Sequence, residues 1–446
     1  HRSPMEAREE AKAAAMQAAK NEHIKNHLTR GLSQDVLITR LEGPELEDAA
    51  DERLLNCGKD AVAPNSPIDV PFLLRFPATF FGMVLGTTSQ SVVWLNISES
   101  PVFFGDWGGV ASAIHWMVWV SGLILLLTIT VTYAMKAFWW WGAVLREIHH
   151  PFRVNFLFGP LIGTMFLANG TPLAISDRTA EEPNRTPQSL AIVVMTIQLI
   201  GELYVYREWI FSEGLSIRNN NPSFQIAVVG NFVGATMLTR AGFSRVAQFF
   251  WSVGVLFWLL LFISLFQSIS KEARRDSNGR RADIWRFPST AHPTLFLFIA
   301  APSAAGTAWA AVSSFDDTSI FFASVALFIA MFMLTNIRIL VKTPFTVSWW
   351  AYTFPIGAIS IVYTRYAESL NADGFLKYFA FLLSLFSSFM VLMVFLNTVF
   401  RVYSADWTVN PDTGKVQNPG LFHIDPVIEI CLHKLSKAIV VRSHDD

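Results

Sequence analysis

Nine stretches of this chain contain no Asp, Glu, Lys or Arg at all: Phe76–Ser98, Trp107–Met135, Val154–Ser176, Asn219–Thr239, Val246–Ser270, Phe287–Phe315, Thr318–Ile337, Thr343–Thr364 and Tyr378–Phe400. A tenth, Thr186–Tyr206, is interrupted only by Glu202. A bilayer core about 30 Å thick is crossed by a helix of roughly 20 apolar residues, because lipid offers no partner for backbone N–H and C=O groups. Charged residues make up 15% of the 446, against about 25% in soluble domains. The reading is an all-α polytopic membrane protein with ten transmembrane helices.

The Lys and Arg content of the connecting segments orients the spans. With a cytosolic N-terminus, the inner connections carry Arg146 and Arg153, Arg207 and Arg218, the cluster Lys271 to Arg286, and Arg338 with Lys342. The outer ones mix Arg178, Arg185, Arg240, Arg245, Arg365 and Lys377 with acids such as Glu99, Asp106, Glu181, Glu182, Asp316, Asp317 and Glu368. Both termini are then cytosolic, and the sequons at Asn96 and Asn184 fall outside. The expected organisation is an N-terminal tail over 1–70, partly helical or disordered, a channel-like membrane domain over 71–402, and a C-terminal tail over 403–446. No signal peptide is expected, since the first apolar run starts after residue 69. The net charge of −1 gives no basic excess for nucleic acid. Cys57 and Cys431 lie near opposite ends and suggest neither a disulfide framework nor a thiolate metal site.

The spans alternate in character. The odd ones carry proline inside or at their start, at Pro77, Pro160, Pro222, Pro302 and Pro355, together with many small residues, as in "FGPLIGTMFLANGTP". The even ones lack internal proline and read as Leu, Phe, Val and Trp, as in "WSVGVLFWLLLFISLF". Proline removes a helix hydrogen bond, and in a membrane the freed carbonyl is tolerated only against protein or water. The alternation therefore predicts five helical hairpins, with an inner ring of five Pro-kinked helices around a pore and the Leu/Phe-rich partners facing lipid.

The odd spans offer no carboxylate and no basic group, so the path is lined by Gly, Ala, Ser, Thr and Phe. Proton-coupled carriers usually place acids or histidines in the membrane; here Glu202 alone qualifies, and it lies near the inner end of an even span. Cations meet no acidic ring, whereas anions meet arginines at the inner mouth. His149 and His150 are neighbours that point about 100° apart on a helix, which does not make a metal pair. No metal site, cofactor or enzyme motif is expected.

Five segments, "RFPATFFGMVLGTTSQSVVW" (75–94), "REIHHPFRVNFLFGPLIGTMFLA" (146–168), "NPSFQIAVVGNFVGA" (221–235), "LFIAAPSAAGTAW" (297–309) and "VSWWAYTFPIGAISIVYTRYAE" (347–368), resemble the plant guard-cell slow anion channel family. That family is related to bacterial tellurite-resistance and fungal malate transporters. The resemblance implies a plasma-membrane homotrimer with one pore per subunit, passing chloride, nitrate and sometimes malate, with a phenylalanine occluding each pore. The occluding ring of the Tyr-Thr-Phe-Pro motif falls at Phe354, a second aromatic at Phe166, and the motif's basic positions at Arg146, Arg153 and Arg338. The N-terminal tail is unlike the phosphorylated tails of the plant channels; a regulatory kinase would find only the short pattern Arg30-Gly-Leu-Ser33, with Ser33 as acceptor.

Taken alone, Phe354 reads as a packed aromatic; the motif and the adjacent Pro355 turn that reading toward a gate, while Phe166 stays open between the two. Arg146, Arg153, Arg338 and Lys342 each serve equally as positive-inside markers, and together they would raise anion concentration at an inner entrance. Glu202 is expected to be a buried structural acid paired with one of these arginines. The function expected is passive anion conduction; the alternative is a proton-coupled malate or dicarboxylate transporter, which requires an ionisable group on the path.

Overall fold

The computed structural model describes residues 72–103, 108–172, 186–211, 221–268, 289–337 and 345–403, together with Thr343 and four short strands. These residues belong to the second of two compact units, Ala61–Asp446. Helices account for nearly all of them: α1 Phe81–Glu99, α2 Gly108–Trp139, α3 Trp141–Ile148, α4 Gly159–Asn169, α5 Gln188–Phe211, α6 Phe224–Arg240, α7 Ser244–Ser268, α8 Leu297–Val312, α9 Asp317–Leu334, α10 Trp350–Ser369 and α11 Phe375–Tyr403. Two antiparallel strand pairs, β1 Glu272–Arg275 with β2 Arg281–Ile284 and β3 Asp406–Val409 with β4 Val416–Asn418, depart from the all-α expectation outside the helices.

Among the described residues six segments are long and apolar enough to cross a membrane: Gly108–Trp139, Gln188–Phe211, Ser244–Leu265, His292–Val312, Asp317–Leu334 and Phe375–Val402. Five of these are the Leu/Phe-rich even spans of the sequence. Their apolar side chains are turned outward: Met117 is 69% exposed, Ile124 60%, Phe328 66% and Phe389 61%. Hydroxyls on these helices bond back one turn, from Ser121 to the Met117 carbonyl (2.7 Å), Thr128 to Ile124 (2.8 Å), Thr196 to Ile192 (2.7 Å) and Ser252 to Gln248 (2.8 Å). A polar group so satisfied within its own helix can face lipid.

The other helices are shorter or more polar, and they are buried. In α1 the polar run Thr88 to Ser91 is at most 2% exposed, and α6, α8 and α10 are buried over most of their length. These helices contact protein on all sides, so they need neither the length nor the apolarity that lipid demands. Contacts run from α1 to α4, α4 to α6, α6 to α8, α8 to α10, and α10 back to α1, while α2, α7, α9 and α11 each pack on the helix before them. Small residues permit this approach: a Cβ at Gly163 would run into Val84, and one at Gly86 into the Thr353 hydroxyl. Polar bonds join α1, α10 and α11, with Gln90 Nε2 donating to Ser387 (2.7 Å), Trp94 Nε1 to Ser388 (3.0 Å) and Trp350 Nε1 to Thr398 (2.9 Å).

The prolines fall into two groups. Pro302 and Pro355 lie inside α8 and α10. Pro160 occupies the first turn of α4, Pro77 precedes the 3-10 turn Ala78–Phe80, and Pro222 sits in the turn before α6. At those three positions the ring starts a helix, where its missing N–H costs nothing, rather than kinking one as the sequence suggested. Short 3-10 segments, Ala78–Phe80, Val154–Phe158, Ser289–Phe296 and Val347–Trp349, lead into α1, α4, α8 and α10.

At the opposite ends, α6 and α10 close alike. Phe243 N donates to the Leu238 carbonyl (2.8 Å) and Ala372 N to Ala367 (3.0 Å), around Gly242 (φ 88°) and Asn371 (φ 45°). This is the left-handed helix stop that glycine or asparagine supplies. Helix α9 starts on Asp316, whose carboxylate accepts from Thr318 N (2.9 Å), Ser319 N (3.4 Å) and the Trp309 indole (2.9 and 3.0 Å).

Candidate functional site

The five buried helices converge on a cavity of about 630 Å³ at their C-terminal halves. Each contributes lining: Glu99 ends α1, Asn169 ends α4, Arg240 ends α6, Ala311 lies one residue from the end of α8, and Arg365 sits one turn from the end of α10. Between them the wall is small and neutral, with Thr236, Thr239, Thr307, Ala304 and Ala358 among its residues. The lining carries the guanidinium groups of Arg240 and Arg365 and the carboxylate of Glu99. The two cations stand at the partial negative ends of the helices that terminate here. One guanidinium N–H of Arg240 donates to the Asn169 carbonyl, an exposed helix-end acceptor, while Arg365 pairs with Glu368 at 3.2 Å, each about one-third exposed.

Aromatic rings bound the cavity. Phe166 lines it, and Phe354 stands edge-on to Phe166, with centroids 5.7 Å apart and planes at 63°. Phe354 is 2% exposed and Phe166 5%. Pro355 is the next residue in α10, and toward the start of that helix Tyr352 meets Phe296 at 4.8 Å and 89°. The two phenylalanines singled out in the sequence, 188 residues apart, are thus one contact.

Arg146 lies on α3 and Arg153 just before the 3-10 segment that opens α4; both are half-buried, at the N-terminal side of the buried helices and away from the cavity. His150 Nδ1 accepts from the backbone N–H of Phe152 (3.0 Å) and of Arg153 (3.3 Å), which shapes the turn carrying Arg153. That turn is tied to α6: Asn155 Nδ2 donates to Ser223 Oγ (3.2 Å) and Asn221 Nδ2 to the Pro151 carbonyl (3.2 Å). Arg338, Lys342 and Ser33 lie outside the described residues, as do the two tails apart from the β3–β4 pair.

Glu202 is buried, at 1% exposure, as expected, but its partners are amides rather than an arginine. Gln198 Nε2 donates to it at 2.6 Å and also reaches the Ala227 carbonyl at 3.3 Å, while the neighbouring Asn231 donates to the Tyr206 hydroxyl at 3.3 Å. The arginine nearest in sequence, Arg207, points outward and pairs with Glu208. Glu202 thus fastens α5 to α6 and does not line the cavity. Among the described residues no cluster of three or more His, Cys, Asp or Glu could hold a metal ion.

The sequence reading missed Arg240 and Arg365 as site residues, since both were assigned to outer connections. The available signal was their position, each at or near the end of a proline-bearing, small-residue span. It also missed the buried Lys136–Glu147 pair, whose members fall on either side of a helix break.

The family model described as the voltage-dependent anion channel matches residues 75–399. The guard cell S-type anion channel SLAC1 of Arabidopsis thaliana is 34% identical over 368 residues, which is 81% of this chain and 61% of that protein. From the same plant, the S-type anion channels SLAH3 and SLAH2 are 35% and 32% identical, over 74% and 77% of this chain and 48% and 61% of theirs. The chain thus spans about half to three-fifths of these relatives' length. The match begins just ahead of Pro77, takes in every helix that lines the cavity and ends within α11, and on that extent the chain belongs to the voltage-dependent anion channel family.

Proposed function

We propose that this chain is an anion-selective channel that conducts chloride and nitrate passively across the plasma membrane. In this reading ten helices cross the bilayer as five hairpins, α1–α2, α4–α5, α6–α7, α8–α9 and α10–α11, with both termini cytosolic and three chains assembling with a pore in each. The membrane domain extends over 71–402, the tails over 1–70 and 403–446, and a kinase acting at Ser33 is the regulatory partner. Phe354, backed by Phe166, closes the path; Arg146, Arg153, Arg338 and Lys342 make the inner mouth electropositive.

The observation that carries this reading is the cavity itself. All five buried helices reach it, its charged groups are Arg240, Arg365 and Glu99, and Phe166, which lines it, meets Phe354 edge-on. A small neutral wall with cationic ends suits an ion that must bind weakly enough to leave. The buried acid that a proton-coupled malate or dicarboxylate carrier would use, Glu202, lies off the cavity between α5 and α6, which supports the passive reading.

Voltage-clamp recording from oocytes expressing the chain tests it. The expected result is a current whose reversal potential follows the chloride gradient and then the nitrate gradient when one anion replaces the other. Absence of that current, together with labelled malate uptake driven by an imposed proton gradient, would replace the channel with the carrier.

A further inference from the structure

The last turn of α2 and helix α3 form an elbow. Trp140 breaks the helix with φ −133° and ψ 47°, and around it Phe138, Trp139 and Trp141 are 82%, 57% and 56% exposed. Aromatic rings in such a position settle at the headgroup boundary of a bilayer. The opposite face of α3, with Ala143, Val144 and Glu147, is buried.

Beneath this elbow lies an ion pair shut off from solvent. Lys136 Nζ stands 3.1 Å from Glu147 Oε1, and both side chains are 2% exposed. Lys136 also donates to the Phe76 carbonyl at 2.7 Å, and the Tyr133 hydroxyl donates to Glu147 Oε2 at 2.7 Å. The cluster therefore joins three segments: the end of α2, helix α3, and the chain immediately ahead of Pro77 and α1. Two other ion pairs, Arg207–Glu208 and Arg365–Glu368, are more exposed and link residues of one helix. Two buried charges are costly to desolvate, and removing one partner strands the other. Such a pair is held only where its geometry is fixed from several sides, which makes it suited to setting a position.

We infer that Lys136 and Glu147 are positioning residues of the inner entrance: their buried pair fixes where α3 presents Arg146 and, through the Phe76 carbonyl, where α1 begins. Arg146 adjoins Glu147 on α3, so a shift of the helix moves the guanidinium with it. The inference rests on the channel reading for the identity of this end as an entrance, but the attachment itself is independent of conduction.

The test uses the full chain with Lys136→Met, Glu147→Gln and the double variant, in a background carrying Cys57→Ser and Cys431→Ser. Two measurements are made at matched surface density. One is unitary anion conductance; the other is the labelling rate of Arg146→Cys by a membrane-impermeant thiol reagent applied from the cytosolic side. Each single substitution is expected to change labelling at 146 several-fold and lower conductance, with the double variant closer to the parent than either single, since neither charge is then stranded. Tyr133→Phe, which removes only the donor to Glu147 Oε2, is expected to change labelling in the same direction by less, and it carries the test if the single variants do not reach the membrane. Absence of current in the parent chain would overturn the channel reading while leaving the labelling comparison intact. Unchanged labelling and conductance in every variant, with only the thermal midpoint lowered, would overturn the positioning role and leave the pair as packing.

Discussion

Truncating Phe354 to alanine should open the path. The ring is 2% exposed and meets Phe166 edge-on with centroids 5.7 Å apart. Moving a buried phenylalanine out of its site gives up about 1.5–3 kcal/mol of burial and about 0.5–1.5 kcal/mol of aromatic pairing. On the proposed gate, opening by rotation therefore costs roughly 2–4.5 kcal/mol, and with each 1.4 kcal/mol worth a factor of ten, the resting path should conduct roughly 30- to 1,600-fold less than an unobstructed one. Phe354→Ala removes that obstacle, and the steady current at matched surface density should rise by at least the lower figure. Alanine in place of a buried Phe costs about 3–5 kcal/mol of stability, so surface protein is quantified by biotinylation alongside the current. Phe354→Leu should fall between the two, and Phe166→Ala should gain less, because Phe354 remains. A normally expressed Phe354→Ala protein whose resting current equals the wild-type value would refute the gate.

Gly86→Ala should destabilise the fold. The new Cβ would meet the Thr353 hydroxyl, itself held by a 2.7 Å bond to the Trp350 carbonyl, at a cost of about 1–3 kcal/mol read as a lower thermal midpoint in detergent; Gly108→Ala, whose Cβ would meet only the Ser98 carbonyl at 3.9 Å, is the control. Arg240→Gln should lower anion conductance most at low ionic strength, because the field of a guanidinium is screened over about 8 Å at physiological salt and over about 30 Å at 0.01 M; an equal loss at both salts would assign Arg240 to holding the Asn169 carbonyl alone. The Trp309 indole, followed by the backbone N–H groups of α9, holds the Asp316 carboxyl below the usual carboxylate range. The folded protein thus keeps this group ionised to lower pH than the unfolded chain does, and the stabilisation, full above about pH 4, is lost as pH falls through the lowered value. Asp316→Asn should flatten that acid limb of a thermal-midpoint titration and, by weakening the cap, cost about 1 kcal/mol or less.

The charge-poor spans take in the cores of the six segments that, among the described residues, are long and apolar enough to cross a membrane, because a lipid-facing helix must satisfy a composition rule that is local and visible residue by residue. The same rule explains why α1, α4, α6 and α10 are shorter or less apolar than the five even spans: their neighbours are protein, and Thr88 to Ser91 can be buried there. Proline content distinguished the two sets of helices, but the role of each ring depended on its register. Pro302 and Pro355 entered helices, while Pro77, Pro160 and Pro222 began them, a difference of a few residues that periodicity does not resolve.

The site divided in the same way. Phe354 and Phe166 are singled out because a motif marks each, yet their mutual contact required α4 and α10 to be packed together beside the cavity that Phe166 lines. Arg240 and Arg365 looked like two of six scattered outer cations; tertiary structure gathered them with Glu99 at the ends of three helices. Glu202 found amides in place of an arginine because helix spacing puts Gln198 one turn away on the same face, whereas Arg207 points outward. By itself, then, the sequence determined that this chain is a helical membrane protein whose helices are of two kinds, since lipid acts on every residue separately. Which side chains share a cavity, a buried ion pair or an aromatic contact was decided only by tertiary packing, because those groupings join residues up to hundreds of positions apart and no local pattern encodes their meeting.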